Sequence, residues 1–319
     1  MKIFPIKVEK LIPSDYKYIE WMIHNVCNYD CSFCDDKTKN GSNRWKTIEQ
    51  YKTYADKIIK LCEGKPFWIH ITGGEPTLYP DLLELLEYIK SKGGYIHLNS
   101  NGSRTLRWWE ELKEKKCLDY LTITCHPDQI DSCDNIIKVL NLFHDEPVTT
   151  ICMITHTINS FDKGVVMKKS IEENTGAIII FKGMLIDDYD IYALYNEDQH
   201  TQIMKPTTVG IKYDSKAKYN YPKNHKITDS LKVTYSDDSI KLSNTQMLLK
   251  TKQNDFFNYK CTVGIDTMRI EVDKIFRGVC GVGGVQYHLD DDFKFSDDYI
   301  ICDTHKCRCG IDLVTTKIK

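Results

Sequence analysis

The sequence predicts an α/β fold of six strand–helix units, followed by a small C-terminal β-hairpin/α region. Two observations carry this prediction. Over the first two-thirds of the 319 residues, short apolar runs alternate with helix-period segments, the sequence form of a parallel sheet with crossover helices. Beyond about residue 258, short β-type runs are interleaved with cysteines instead.

The run Tyr18-Ile19-Glu20-Trp21-Met22-Ile23 reads as the first strand. A helix follows over 48–63, where Ile48, Tyr51, Tyr54, Ala55, Ile58 and Ile59 recur at helical spacing. Residues 67–72 form the second strand and end at Gly73-Gly74. The strongly periodic run 80–89 is a helix, stopped by Lys92-Gly93-Gly94. Strands at 95–99, 120–125, 148–155 and 177–182 complete the set, with Trp108, Trp109 and Leu112 on the helix between the third and fourth. In the fourth strand Thr122, Thr124 and His126 share one face, and Leu121, Ile123 and Cys125 the other.

Composition excludes several classes. Hydrophobic content of 41% and charged content of 28% are ordinary for a globular protein. A net charge of −2 gives no reason to expect a nucleic-acid partner. No run approaches a membrane span, and residues 1–7 lack the apolar core of a signal peptide. Thirteen cysteines without a secretion signal point to a reducing, cytoplasmic setting and to metal or thiol chemistry rather than disulfides.

Three of those cysteines, Cys27, Cys31 and Cys34, stand in a C-x3-C-x2-C spacing just after the first strand. Three thiolates on a short loop can hold three irons of a cubane [4Fe–4S] cluster and leave the fourth iron open to a small ligand. Structural zinc usually takes four ligands, and no fourth lies nearby in the chain. A second segment, Ile69-His70-Ile71-Thr72-Gly73-Gly74-Glu75-Pro76-Thr77, places a glycine turn after the second strand.

Together these segments resemble the signatures of the radical S-adenosylmethionine (radical SAM) superfamily: the cysteine triad with an aromatic, Phe33, before its third member, and the GGEP segment. The resemblance implies a partial (β/α)6 TIM-like barrel, with chemistry at the carboxyl ends of its strands. It implies Cys27, Cys31 and Cys34 as metal ligands of a [4Fe–4S] cluster that chelates SAM. Phe33, Gly73, Gly74, Glu75 and Pro76 would then adjoin the cofactor. Asn99-Ser100-Asn101-Gly102-Ser103 resembles the family's T/S-N-G segment, which puts Ser100 and Asn101 near the ribose. In such a barrel the polar face of the fourth strand looks inward, so Thr124 is a further cofactor contact and His126 a candidate for touching SAM or substrate. The competing reading of His126 is a hydrogen-bonded structural histidine. In the fifth strand, alternation sets Met153 and Thr155 against Cys152 without saying which faces inward.

From about 187 to 258 the pattern loosens into a polar, tyrosine-rich stretch containing a hairpin around Asp237-Asp238. It reads as a surface bridge, or as a cover over the barrel mouth that helps bind substrate. Cys261, Cys280, Cys302, Cys307 and Cys309 follow, the first two bracketing a hairpin. Cysteine, hairpin, cysteine and a terminal cysteine group resembles the "twitch" domain, a shortened SPASM extension, and implies one auxiliary [4Fe–4S] cluster. Cys261, Cys280, Cys307 and Cys309 are the expected ligands, with Cys302 the surplus; structural zinc on the same thiols is the alternative. The match departs from the SPASM pattern, which has a glycine where Ile275 stands. The expected division is therefore a barrel at 1–186, a bridge at 187–258 and a twitch-like domain at 259–319.

Cys62, Cys117, Cys125, Cys133 and Cys152 sit in helix or strand contexts, where buried cysteine is a small apolar residue. Family epimerases return a hydrogen atom from an active-site cysteine, and Cys125 and Cys152 are the candidates for that role. The implied activity is reductive cleavage of SAM to a 5′-deoxyadenosyl radical and hydrogen abstraction from a substrate carbon. The expected substrate is a peptide or protein, modified by oxidation, crosslinking or epimerisation; the alternative is a sugar or aminocyclitol dehydrogenase or epimerase. The resemblance also implies an electron donor such as flavodoxin or ferredoxin.

Overall fold

The computed structural model describes residues 3–10, 17–183, 195–204, 231–265, 267–277, 286–294, 298–307 and 310–319. Residues 187–194 and 205–230 of the expected bridge, and both Cys280 and Cys309, lie outside the described residues. The chain separates into two compact units, neither of them a linear segment. One comprises Trp21–Ala55 and Ile69–Lys212; the other comprises Met1–Glu20, Asp56–Trp68 and Tyr213–Lys319. These units cut the chain differently from boundaries at 186 and 258. The reason is β1 (Pro5–Lys10), which pairs with C-terminal strands.

The first unit carries the six strand–helix repeats. Its strands follow chain order in the sheet: β2 (Lys17–Met22), β3 (Phe67–Thr72), β4 (Tyr95–Ser100), β5 (Tyr120–Cys125), β6 (Thr149–His156) and β7 (Ile178–Gly183). The residues of β2, β3 and the helix between them are divided between the two units. Pairing of β4 with β5, β5 with β6 and β6 with β7 is parallel. The helices that follow them are α1 (Ile48–Leu61), α2 (Leu82–Ser91), α3 (Leu106–Lys115), α4 (Asp134–Leu142), α5 (Phe161–Asn174) and α6 (Glu197–Met204). The sheet ends at β7 and does not close on itself, so this is an open, partial (β/α)6 barrel.

Burial explains why these segments adopt these states. Leu121, Ile123 and Cys125 on β5, and Cys152 and Ile154 on β6, are fully buried, as expected of a strand face covered by helices. The α2 helix begins at Leu82, two residues later than its periodicity suggests. Asp81 is its N-cap residue, and the Asp81 carbonyl accepts the Leu85 N–H at 3.1 Å. The helix then buries Leu82, Leu85, Leu86 and Ile89 at the expected spacing.

The second unit is mainly antiparallel. It contains β8 (Leu231–Tyr235), β9 (Ile240–Ser243), α7 (Thr245–Lys250), β10 (Lys260–Cys261), β11 (Thr267–Glu271), β12 (Lys274–Phe276), β13 (Gln286–His288), β14 (Ile300–Ile301), α8 (Gly310–Val314) and β15 (Lys317–Ile318). One sheet runs β14-β10-β15-β1-β8-β9. The hairpin expected around Asp237-Asp238 is β8–β9, with Asp238 in the left-handed region at φ +62°. The hairpin expected after Cys261 is β11–β12, extended by β13. Val8, Leu231, Val233, Phe256 and Leu313 form the core of this unit together with Cys302 and Cys307.

Candidate active site

The site is assembled where β2 and β3 end. The last paired residues bring the Ile23 N–H to the Thr72 carbonyl at 3.0 Å. The chain after β3 then continues to pair with the entry to the cysteine loop. Gly74 N–H donates to His24 O at 2.9 Å and Glu75 N–H to Val26 O at 2.8 Å. This close approach explains the two glycines. A Cβ on Gly73 would meet His24 O at 2.5 Å, and one on Gly74 would meet Val26 O at 2.2 Å. The backbone of the glycine turn is thus the wall against which the cysteine loop is laid.

Within the loop, Cys31 is buried, and Cys27 and Cys34 are half-buried. The turn is closed by Cys34 N–H donating to Cys31 O at 3.1 Å. Cys27 Sγ accepts the Tyr29 N–H at 3.4 Å, and Cys34 Sγ lies 3.0 Å from Thr38 Oγ1. Burial pushes the Cys27 thiol up and the Cys31 thiol up to about 12. A metal reverses that preference, because a coordinating thiol is deprotonated outright.

Glu75 reaches the other way, toward the end of β4. Its carboxylate is buried and accepts four hydrogen bonds. Oε1 accepts from Thr77 N at 3.1 Å, Thr77 Oγ1 at 2.5 Å and Ser100 Oγ at 2.7 Å, while Oε2 accepts from Asn101 N at 2.6 Å. Burial pushes this carboxyl up, and the four donors pull it back. Asn101 also reaches the cysteine loop, donating from Nδ2 to Asn28 Oδ1 at 2.9 Å.

At the end of β5, His126 packs beside the loop. Its ring stacks on Phe33 with centroids 5.7 Å apart and stands edge-on to Tyr29. Nε2 lies 2.9 Å from Thr124 Oγ1, and Nδ1 lies 2.9 Å from Thr155 Oγ1 and 3.6 Å from Cys31 Sγ. Burial lowers its pKa to about 4, so the imidazole is neutral at ordinary pH. The Thr155 contact settles the question left by alternation: the Met153–Thr155 face of β6 is the one turned toward His126.

All three cysteines line one cavity with Phe33, Gly74, Glu75, Pro76, Ser100, Asn101, Thr124 and His126. Gly73 does not line it. Ser100 and Asn101 border it, yet their side chains are engaged by Glu75, Asn28 and neighbouring N–H groups. Tyr29, Thr72 and Asn99 also line the cavity; they lie within the cysteine loop and the two segments that carry the resemblance, which does not single them out as site residues, although period-two alternation along β3 and β4 could have found Thr72 and Asn99. The Asn99 Oδ1 atom is buried with no hydrogen-bond partner among the described residues.

Cys125 and Cys152 are not brought to this cavity. Both are fully buried on the helix-facing side, where Cys125 Sγ lies 3.7 Å from Met167 Sδ of α5. The alternation that turns Thr124 and His126 inward turns Cys125 away. Cys62, Cys117 and Cys133 are buried as well. In the other unit Cys261, Cys302 and Cys307 are buried; Cys261 Sγ lies 3.2 Å from Thr315 Oγ1. His305 is exposed and stacked on Phe257.

The donor set suits a [4Fe–4S] cluster with one iron left for a ligand: three thiols face one cavity, and no fourth cysteine lines it among the described residues. An open parallel barrel with this loop defines the class. Residues 21–160 match the radical SAM superfamily, and this stretch is a radical SAM domain. The family implies SAM and a [4Fe–4S] cluster as its cofactors.

Among similar proteins, the S-adenosylmethionine-dependent nucleotide dehydratase of a Thermoplasmatales archaeon is 31% identical over 154 residues, covering 44% of this chain and 53% of that protein. GTP 3′,8-cyclase of Haemophilus ducreyi is 32% identical over 105 residues, 30% of each protein. The chain therefore spans about half or less of these curated relatives. Streptococcus suis SuiB, in a crystal structure bound to its precursor peptide SuiA, aligns with a TM-score of 0.55 at 15% identity. That alignment covers 90% of this chain and 66% of SuiB, a likeness of fold. No described helix is long and apolar enough to cross a membrane.

Proposed function

We propose that this radical SAM enzyme modifies a carbon of a peptide or protein substrate, by oxidation, crosslinking or epimerisation. The observation that carries the chemistry is the convergence of Cys27, Cys31 and Cys34 on one cavity with the GGEP turn. When bound, a [4Fe–4S] cluster with SAM supplies one-electron cleavage of a sulfur–carbon bond and a carbon radical able to take a hydrogen atom from substrate.

The chain's own residues bind, orient and exclude water. Cys27, Cys31 and Cys34 are the metal ligands. Gly74 and Glu75, which line the cavity, would adjoin the methionine end of SAM, with Gly73 shaping the turn behind them, and Asn99, Ser100, Asn101 and Thr124 would border the remainder. Phe33, Tyr29 and His126 make an aromatic wall beside the loop, which keeps water from the sulfurs. His126 is held by Thr124 and Thr155 at 2.9 Å each, which fixes its ring beside the cysteine loop. Cys261, Cys280, Cys307 and Cys309 are the proposed ligands of one auxiliary [4Fe–4S] cluster, and flavodoxin or ferredoxin the proposed donor.

A peptide substrate is supported by the fold likeness to peptide-bound SuiB, which extends over 90% of this chain and so beyond the radical SAM domain. A second reading, a small-molecule substrate, is favoured by the nucleotide-directed names of the curated relatives. The test is 5′-deoxyadenosine formation by the reduced, SAM-loaded enzyme, offered a pool of short peptides or a pool of nucleotides and sugars. Stimulation by peptides, with a mass change in one of them, is expected. Stimulation confined to the small molecules would overturn the peptide reading.

A further inference from the structure

We propose that Asn25, two residues before the first cysteine, is the positioning residue that holds the Cys27–Cys34 loop in its cluster-receiving shape before any metal arrives. The proposal rests on the reading of these three thiols as cluster ligands. Its physical basis is a knot of hydrogen bonds centred on one fully buried amide.

Asn25 has no exposed surface. The two N–H groups of its Nδ2 serve three acceptors between them, one bond being shared: Lys37 O at 2.7 Å, Asn40 Oδ1 at 2.9 Å and Ser42 Oγ at 3.0 Å. Its Oδ1 accepts the Asn43 N–H at 2.8 Å. The backbone adds two more bonds, Asn25 N–H to Asn43 O and Gly41 N–H to Asn25 O, both at 3.0 Å. Val26 and Asn40 form an isolated antiparallel bridge beside them. The segment that leaves the cysteine loop is thereby fastened to the residue that enters it.

The other side of the same entry strand is fastened to the glycine turn through His24 O and Val26 O. The base of the loop is therefore gripped from both sides, and the three sulfurs hang from a closed ring of backbone. A loop closed in the metal-free chain meets its metal without a further ordering cost. Partners that orient ligands are commonly worth 10–100-fold in metal affinity.

The orientation of the amide makes the proposal sharp. The Nδ2 side faces a carbonyl that can only accept, and Asn40 Oδ1, which already accepts the Ser42 N–H at 2.9 Å. Asn25→Asp keeps the shape and volume but sets a carboxylate oxygen against those acceptors. A residue that only filled space would tolerate that change; a clamp would not, and Asp should be worse than Ala.

The experiment uses the full chain in two states. In the metal-free state, trypsin cleavage after Lys37 and Lys39 reports whether the loop base is closed. After reconstitution with iron and sulfide, the rate of iron loss to a chelator reports how firmly the cysteines hold it. Asn25→Asp is expected to speed both by about tenfold or more, with Asn25→Ala intermediate. Cleavage of metal-free Asn25→Asp at a rate within about twofold of wild type would overturn the proposal, whatever the iron does. If neither Asn25 variant folds, Asn40→Ala/Ser42→Ala, which removes two of the three acceptors from the far side, is read by the same two criteria. The cluster reading fails separately: a Cys27/Cys31/Cys34→Ala chain that binds as much iron as wild type would remove it, while the proteolysis still judges the clamp.

Discussion

Glu75 Oε2 accepts the backbone N–H of Asn101 at 2.6 Å, tying the turn after β3 to the turn after β4. The same carboxylate holds Thr77 and Ser100 through its other oxygen. The acid of the GGEP segment is thus a brace between two loops of the site.

Glu75→Gln tests that brace. The new amide must point an N–H₂ at backbone or hydroxyl donors, losing at least one buried hydrogen bond at a cost of about 1–3 kcal/mol. A lower thermal midpoint and a roughly tenfold weaker SAM affinity of the cluster-loaded protein are expected, since 1.4 kcal/mol is tenfold. Unchanged SAM affinity, measured by equilibrium dialysis, would show that the spacing of the two loops does not matter.

Gly74→Ala attacks the other junction. Its methyl would sit 2.2 Å from the Val26 carbonyl oxygen, so the turn and the cysteine loop must part. Destabilisation by about 1–3 kcal/mol is expected from overpacking alone, together with loss of most reconstituted iron. Denaturant unfolding and an iron assay on one preparation check both effects. A variant with wild-type iron content would show that the close approach is not needed.

Metal stoichiometry separates the two cysteine groups. With both proposed clusters present, anaerobic reconstitution should yield about eight irons per chain, falling to about four in the Cys27/Cys31/Cys34→Ala variant. Cys31→Ala alone should abolish 5′-deoxyadenosine formation. About four irons falling to none, with zinc retained, would reduce the C-terminal cysteines to a structural site.

His156 is one of several histidines, with His24, His70, His97 and His126, whose pKa is lowered by burial, which should make the fold sensitive to acid. It is fully buried between Phe181, Phe161 and Tyr195, and its Nε2 has no hydrogen-bond partner among the described residues. Burial lowers its pKa from 6.5 to about 4. Its contribution is therefore fully present above pH 6.5 and is lost as pH falls toward 4, because the unfolded chain takes up the proton first. At pH 5 that loss is about 2 kcal/mol. His156→Phe keeps the ring packing and the Tyr195 bond to the backbone carbonyl of residue 156. It should make the fall in urea midpoint between pH 7 and pH 5 shallower by that share, the rest coming from the other histidines with lowered pKa; an equally steep fall would show that His156 contributes none of it.

Much of this was legible in the chain. Strand runs such as Phe67–Thr72 and Tyr120–Cys125 are short, apolar and cleanly bounded, so local pattern and burial agree. The cysteine spacing and the glycine turn announced the site because each answers a local chemical need. Cys125 and Cys152 were candidates only while their direction was unknown; one residue of alternation decides whether a side chain meets the cavity or a helix. Asn25 carried no motif at all.

The amino-acid sequence by itself determined the six repeats, the cysteine triad and the class of chemistry, because those depend on residue types at short spacings. Only the tertiary structure decided which strand face looks at the cavity, that Glu75 braces β4, that Asn25 closes the cysteine loop, and that β1 joins C-terminal strands. Each of those is a hydrogen bond or a packing contact between residues whose spacing in the chain, from 12 residues upward for Asn25 to over 200 for β1, is set by folding. No local pattern records such distances.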